Sequence, residues 1–138
     1  MNIFPLFRDT LLESSLNGTL TLRKYWHGGW FLKIADGEFY SSTYLEKMWF
    51  FVFRHYKQRM PPQNVLILGS GGGCATQIIK KFWPTTNIDA LDYDQGIIDL
   101  SKQIYNFNHP NIHFIVEEAY AFISSCTQKY DFIIIDLF

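Results

Sequence analysis

Asn64-Val65-Leu66-Ile67-Leu68-Gly69-Ser70-Gly71-Gly72-Gly73-Cys74 is the stretch that decides the fold of this chain. An unbroken Val/Leu/Ile run predicts a strand buried on both faces, as in a parallel sheet. The glycines that follow let the backbone turn sharply and approach a ligand closely. Ala75 to Phe82 then has helical character. A glycine-rich turn alone can be no more than a tight turn. Between a buried strand and a helix N-terminus it reads as a nucleotide-binding corner.

The sequence on either side fits that corner. At 138 residues, 48% of them hydrophobic and 18% aromatic, the chain can bury a core. A formal net charge of −1 gives no general attraction to nucleic acid or to an anionic membrane. Its two cysteines, Cys74 and Cys126, have neither metal-ligand spacing nor disulfide logic and read as reduced thiols. No apolar run reaches membrane-spanning length, and Met1 to Asp9 lacks the pattern of a signal peptide. The expectation is a soluble, cytoplasmic protein without nucleic-acid or membrane partners.

After Asn64, strands and helices alternate. Asn87 to Asp92, Asn111 to Val116 and Phe132 to Asp136 read as strands. Gln95 to Phe107 and Ala119 to Cys126 read as helices. This pattern predicts a doubly wound parallel sheet of spatial order 3-2-1-4. Before Pro61-Pro62, Thr19 to Trp26, Trp30 to Ile34 and Glu38 to Ser41 read as a three-stranded antiparallel meander, with Asp36-Gly37 as a hairpin turn. Residues 1–16 fit a short helix or an extended lead-in. Ser42 or Thr43 caps a helix running to about Tyr56, with Met48, Phe51, Val52 and His55 on its core stripe. Arg54 to Arg59 reads as a solvated, basic helix end. The expected organisation is an N-terminal unit over residues 1–60 and a Rossmann-like half-domain over 63–138. The Phe132–Ile135 run is written for burial on both faces, so the last strand implies a covering element. The sequence therefore reads as the front part of a longer protein, and the open edge also allows a homo-oligomer.

In an open parallel sheet, ligands bind beyond the carboxyl ends of the strands. Those ends carry Gly69, Ser70, Gly71 and Gly73, then Asp92, Tyr93 and Asp94, then Glu117, Glu118 and Ala119, and finally Asp136. Asp92 stands about 20 residues past the glycines, where a carboxylate can take both hydroxyls of a ribose. The glycine spacing is G-x-G-x-G, and Cys74 occupies the place of a dinucleotide fingerprint's third glycine. That spacing favours an adenosyl ligand without a pyrophosphate over NAD. His27, His55, His109 and His113 show no ligand spacing and read as surface or loop. Trp26, Trp30, Trp49 and Trp83 read as core.

Val65-Leu66-Ile67-Leu68-Gly69-Ser70-Gly71-Gly72-Gly73 resembles the glycine motif of spermidine synthases, the polyamine aminopropyltransferases, which share the class I S-adenosylmethionine methyltransferase fold. Ile88 to Asp94, Glu117-Glu118-Ala119 and Tyr130 to Asp136 resemble further segments of that family. The meander and helix resemble its small β-domain. The resemblance implies that the glycine loop, Tyr93 and Ala119 contact the cosubstrate, that Asp92 holds its ribose, that Glu118 reaches its adenine amino group and that Asp136 is catalytic. It implies decarboxylated S-adenosylmethionine or S-adenosylmethionine as cosubstrate, methylthioadenosine as product, no metal, and a polyamine or other amine as acceptor. Gly72 stands where the family usually has an aspartate facing the ammonium of the aminopropyl group. Leu45-Glu46-Lys47 stands for a family Tyr-His-Glu segment, and no acid-proline pair follows Asp136. These departures leave two other readings in play, a methyltransferase on the same fold and a non-catalytic module that retains it.

Overall fold

The computed structural model describes residues 6–34, 39–56 and 60–137. The Asp36-Gly37 turn, Glu38 and the Lys57-Gln58-Arg59 part of the basic segment lie outside them. Two four-stranded sheets make up the fold. The first is an antiparallel meander of β1 (Phe7–Ser14), β2 (Gly18–Tyr25), β3 (Trp30–Ile34) and β4 (Phe39–Ser42), in that order. Helix α1 (Thr43–Tyr56) follows. The second sheet is parallel. It contains β5 (Asn64–Leu68), β6 (Asn87–Asp92), β7 (Ile112–Val116) and β8 (Phe132–Ile135), connected by α2 (Cys74–Phe82), α3 (Gln95–Tyr105) and α4 (Ala119–Ser125). Its order is β7-β6-β5-β8, the 3-2-1-4 arrangement that the strand–helix alternation predicts.

The meander has one strand more than the sequence suggests. β1 pairs with β2 along its whole length, from Phe7 opposite Tyr25 to Ser14 opposite Gly18. Its residues are nearly all exposed, so no alternation of apolar and polar residues marks it as a strand. The start of α1 is also settled. Ser42 Oγ accepts the Leu45 N–H at 3.2 Å and caps the helix. Thr43 Oγ1 instead accepts the Trp30 N–H at 2.9 Å, which fastens the helix start to β3.

Helix α1 buries a different face from the expected one. Met48, Phe51, Val52 and His55 are exposed, while Phe53 is fully buried with Trp49 beside it. The helix is apolar almost all round between Met48 and Phe53, so periodicity alone could not choose its face. The choice is made by aromatic partners from the parallel sheet and its helix. Phe53 stacks on Trp49 at 5.6 Å between ring centroids and meets Trp83 at 5.8 Å and Phe132 at 6.0 Å in edge-on contacts. Around it, Val65, Ile67, Ile78, Ile79, Ile88 and Ala90 complete the main core. Trp26 also departs from expectation. It sits in the β2–β3 turn with 76% of its surface exposed and packs edge-on to His27.

A smaller core on the opposite face of the parallel sheet joins Leu66, Leu68 and Leu91 to Ala119 of α4. That cover does not extend over β8. Ile134 is buried, but Ile133 and Ile135 are exposed, so the strand is buried on one face rather than two. Phe53→Ala should cost about 3–5 kcal/mol of unfolding free energy, whereas Phe51→Ala should change it by no more than about 0.5 kcal/mol. Urea unfolding of the two variants measures this, and equal losses would contradict the assigned face.

Candidate functional site

The carboxyl ends of β5, β6, β7 and β8 open into a cleft of about 310 Å³. The glycine turn forms its floor. Gly69 adopts φ +82°, and a Cβ there would lie 2.2 Å from the Asp136 carbonyl oxygen, so only glycine lets the turn pass β8. Gly71 is also left-handed, with φ +49°. Its N–H donates to Asp92 Oδ2 at 2.8 Å, and the Asp94 N–H donates to Asp92 Oδ1 at 3.1 Å. Asp92 is thereby clamped between its own loop and the glycine turn while lining the cleft. Burial pushes its carboxyl above the ordinary range, partly offset by the N–H donors of Asp94 and Gly71.

Gly69, Ser70, Gly71, Asp92, Tyr93, Glu118, Ala119 and Asp136 all line this cleft. Gly73 does not. It precedes α2 with φ +86°, and the space a side chain would need is taken by the Phe107 ring, 2.7 Å from an added Cβ. Its glycine serves the backbone turn and a close ring packing. Ser70 brings an unsatisfied group to the wall: its hydroxyl is buried and has no hydrogen-bond partner among the described residues. A buried hydroxyl left unpaired costs about 1–3 kcal/mol, which a ligand acceptor or donor would recover.

The acids differ in their freedom. Glu118 caps α4, accepting the Tyr120 N–H at 3.0 Å and the Ala121 N–H at 2.9 Å, and these donors hold its carboxyl below the usual range. Asp136 has no such donors among the described residues, and burial pushes its carboxyl up. Glu117, at the end of β7, lines the cleft beside Glu118. Asp94 is fully committed to the protein: it caps α3 through Gly96 N and Ile97 N. Asp89 points elsewhere and accepts from Tyr130, Gln128 and His113.

Sequence reading does not find the opposite wall, because it comes from the N-terminal unit. Leu45 and Trp49 of α1 supply apolar surface to the cleft, as do Leu91 and Leu137. Ser41, at the end of β4, lies 2.7 Å from the Cys74 sulfur, and both line the cleft. Cys74 also lies 3.5 Å from the Tyr105 hydroxyl, which donates to Glu46 Oε1 at 2.7 Å. Burial pushes the Cys74 thiol up, so it behaves as a neutral wall group. None of the described lining residues is Lys, Arg or His, so the charge facing the cleft comes only from carboxylates.

The Spermine/spermidine synthase domain family matches residues 41–138. A polyamine aminopropyltransferase of Saccharolobus islandicus is 30% identical over 113 residues, covering 75% of this chain and 38% of that protein. The chain thus spans well under half the length of that curated relative. Among solved structures, a probable spermidine synthase from Corynebacterium glutamicum superposes with a TM-score of 0.77 at 18% identity, over 94% of this chain and 52% of that one. A spermidine synthase in complex with the transition state analogue AdoDATO superposes with a TM-score of 0.69 at 18% identity, over 93% of this chain and 46% of that one. At these identities the two structures establish a common fold.

Gly72 illustrates how closely the two units meet. Its missing side chain is required by packing: an added Cβ would lie 2.4 Å from Ser41 Cβ and 2.7 Å from Ser41 Oγ. Gly72→Ala should therefore destabilise the chain by about 1–3 kcal/mol through overpacking, and Ser41→Gly in the same chain should recover most of that loss. A thermal-unfolding double-mutant cycle measures it. Additive losses would show that Ser41 is not the obstacle.

Proposed function

The chain belongs to the spermine/spermidine synthase family, and from that premise we propose that its cleft binds an adenosyl-sulfonium ligand for aminopropyl transfer to a polyamine or other amine. The observation that carries this reading is the charge of the cleft: Asp92, Glu117, Glu118 and Asp136 line it, and no described lining residue offers a cation. Such a site attracts a sulfonium and an amine and disfavours a ligand bearing an unpaired carboxylate. Decarboxylated S-adenosylmethionine fits this charge better than S-adenosylmethionine, even though Gly72 supplies no acid to the aminopropyl end.

In this reading the residues divide the work. Asp92 takes the two ribose hydroxyls as charge-assisted donors. The glycine turn lets the ligand approach the backbone, and Tyr93 and Ala119 flank the base. The two backbone bonds of Glu118 fix its carboxylate at the adenine edge. Ser70 offers its unpaired hydroxyl. Asp136 takes a proton from the acceptor's ammonium, and its raised affinity for protons suits that role. The freed amine then attacks the carbon beside sulfur in line. A C–N bond forms, the C–S bond breaks, and its electron pair leaves on sulfur, giving the neutral thioether methylthioadenosine.

Calorimetric titration tests the ligand class. Decarboxylated S-adenosylmethionine should bind about tenfold more tightly than S-adenosylmethionine, or about 1.4 kcal/mol. NAD should produce no heat. NAD binding in the absence of adenosyl-ligand binding would reject the assignment.

The sign of a pH dependence follows from Asp92. Burial raises its carboxyl from the ordinary value of 3.8, and ribose hydroxyls donate to the ionised form. Methylthioadenosine affinity should therefore be full above that raised value and decline as pH falls through it. Asp92→Asn should lose about 1.5–3 kcal/mol of affinity at neutral pH and abolish this step. An unchanged step in the variant would assign it to another group.

A further inference from the structure

The β1–β2 turn lies outside the residues matched by the family, yet it is bonded to the loop that follows Asp92. Asp94 is buried at 1% exposure, and both of its oxygens are used. Oδ1 accepts Gly96 N at 2.8 Å and Ile97 N at 3.4 Å. Oδ2 accepts the Ser14 hydroxyl and the Asn17 side-chain N–H. Ser14 Oγ in turn accepts Leu16 N at 3.1 Å and Asn17 N at 3.0 Å, which fixes the turn that presents Asn17. The Tyr93 hydroxyl donates to Asn17 Oδ1 at 3.4 Å. A continuous chain of hydrogen bonds therefore runs from Asn17 and Ser14 to Asp94, from the Asp94 N–H to Asp92, and from Asp92 to Gly71 N.

This arrangement exceeds what is needed to tether a hairpin. Asn17 holds the residues on both sides of the Tyr93–Asp94 peptide, and the N–H of that peptide, on Asp94, is one of the two donors that aim Asp92. We propose that Asn17, braced by Ser14, is a positioning residue of the adenosyl site: through Asp94 and Tyr93 it fixes the Asp92 carboxylate in the orientation that receives the ribose hydroxyls. The proposal rests on the reading of Asp92 as the ribose anchor. It gives the N-terminal meander a part in ligand recognition without any contact between Asn17 and the ligand. Loosening the turn leaves Asp94 with fewer donors in a buried setting, and the loop relaxes to hydrate it.

Methylthioadenosine and its 2′-deoxy analogue, titrated separately into the full chain, provide the test. Both report on the same folded molecules, so their affinity ratio is independent of any loss in folded fraction. In the wild type the ribose form should bind roughly ten- to hundredfold more tightly, as expected for a hydrogen bond to a charged group. Asn17→Ala and Ser14→Ala should each reduce that ratio by about three- to tenfold. Wild-type ratios in both variants, with only their melting temperatures lowered, would overturn the proposal and leave the ribose reading standing. Equal binding of the two ligands by the wild type would remove the ribose reading and the proposal with it.

Discussion

Asp92 is the residue on which the site's geometry depends. Its carboxylate lies at the end of β6 and accepts one backbone N–H from the glycine turn and another from its own loop. Two strand ends are thus joined through a single buried acid, at the carboxyl edge where an open parallel sheet presents a ligand crevice. The arrangement is held by both neighbours. Leu91 O accepts the Gly69 and Ser70 N–H groups at 2.9 and 2.8 Å, and Asp92 O accepts Glu117 N at 3.1 Å. Without those bonds the glycine turn would have no reason to keep its left-handed residues, and the carboxylate would have no fixed direction.

The second constraint is the aromatic contact that docks the N-terminal unit. Phe53 sits among Trp49, Trp83 and Phe132, drawn from α1, the end of α2 and β8. Docking at that point brings β4 down on the glycine turn, where Ser41 fills the space beside Gly72. It also presents Leu45 and Trp49 as the apolar side of the cleft. The cleft is therefore a joint product of the two sheets. The parallel sheet contributes its acids and glycines, and the meander with its helix contributes a neutral wall.

The legible parts of this fold are those that local sequence constrains. A buried strand followed by glycines, acids at successive strand ends and helices between them fix the order of the parallel sheet and the residues at its carboxyl edge. β1 is not legible because its residues up to Leu11 are exposed and only Leu12 and Ser14 turn inward, which leaves a two-residue pattern little to record. The buried face of α1 is not legible because Met48 to Phe53 is apolar all round, so only partners distant in sequence select Phe53 over Phe51. The bond between Ser14 and Asp94 spans 80 residues and no local signal announces it. Gly73 stands in the glycine motif but off the cleft lining, with the Phe107 ring filling the space a side chain would need. A glycine in such a turn has two uses, and sequence does not separate them.

The central claim is that Asp92 organises a cleft for an adenosyl ligand. A crystal structure of the chain with methylthioadenosine tests it most directly. The account predicts the ribose with both hydroxyls about 2.6–3.0 Å from the Asp92 carboxylate oxygens and the base between Tyr93 and Ala119. A ligand whose ribose lies away from Asp92, or whose adenine occupies the Ser41–Cys74 wall, would contradict it.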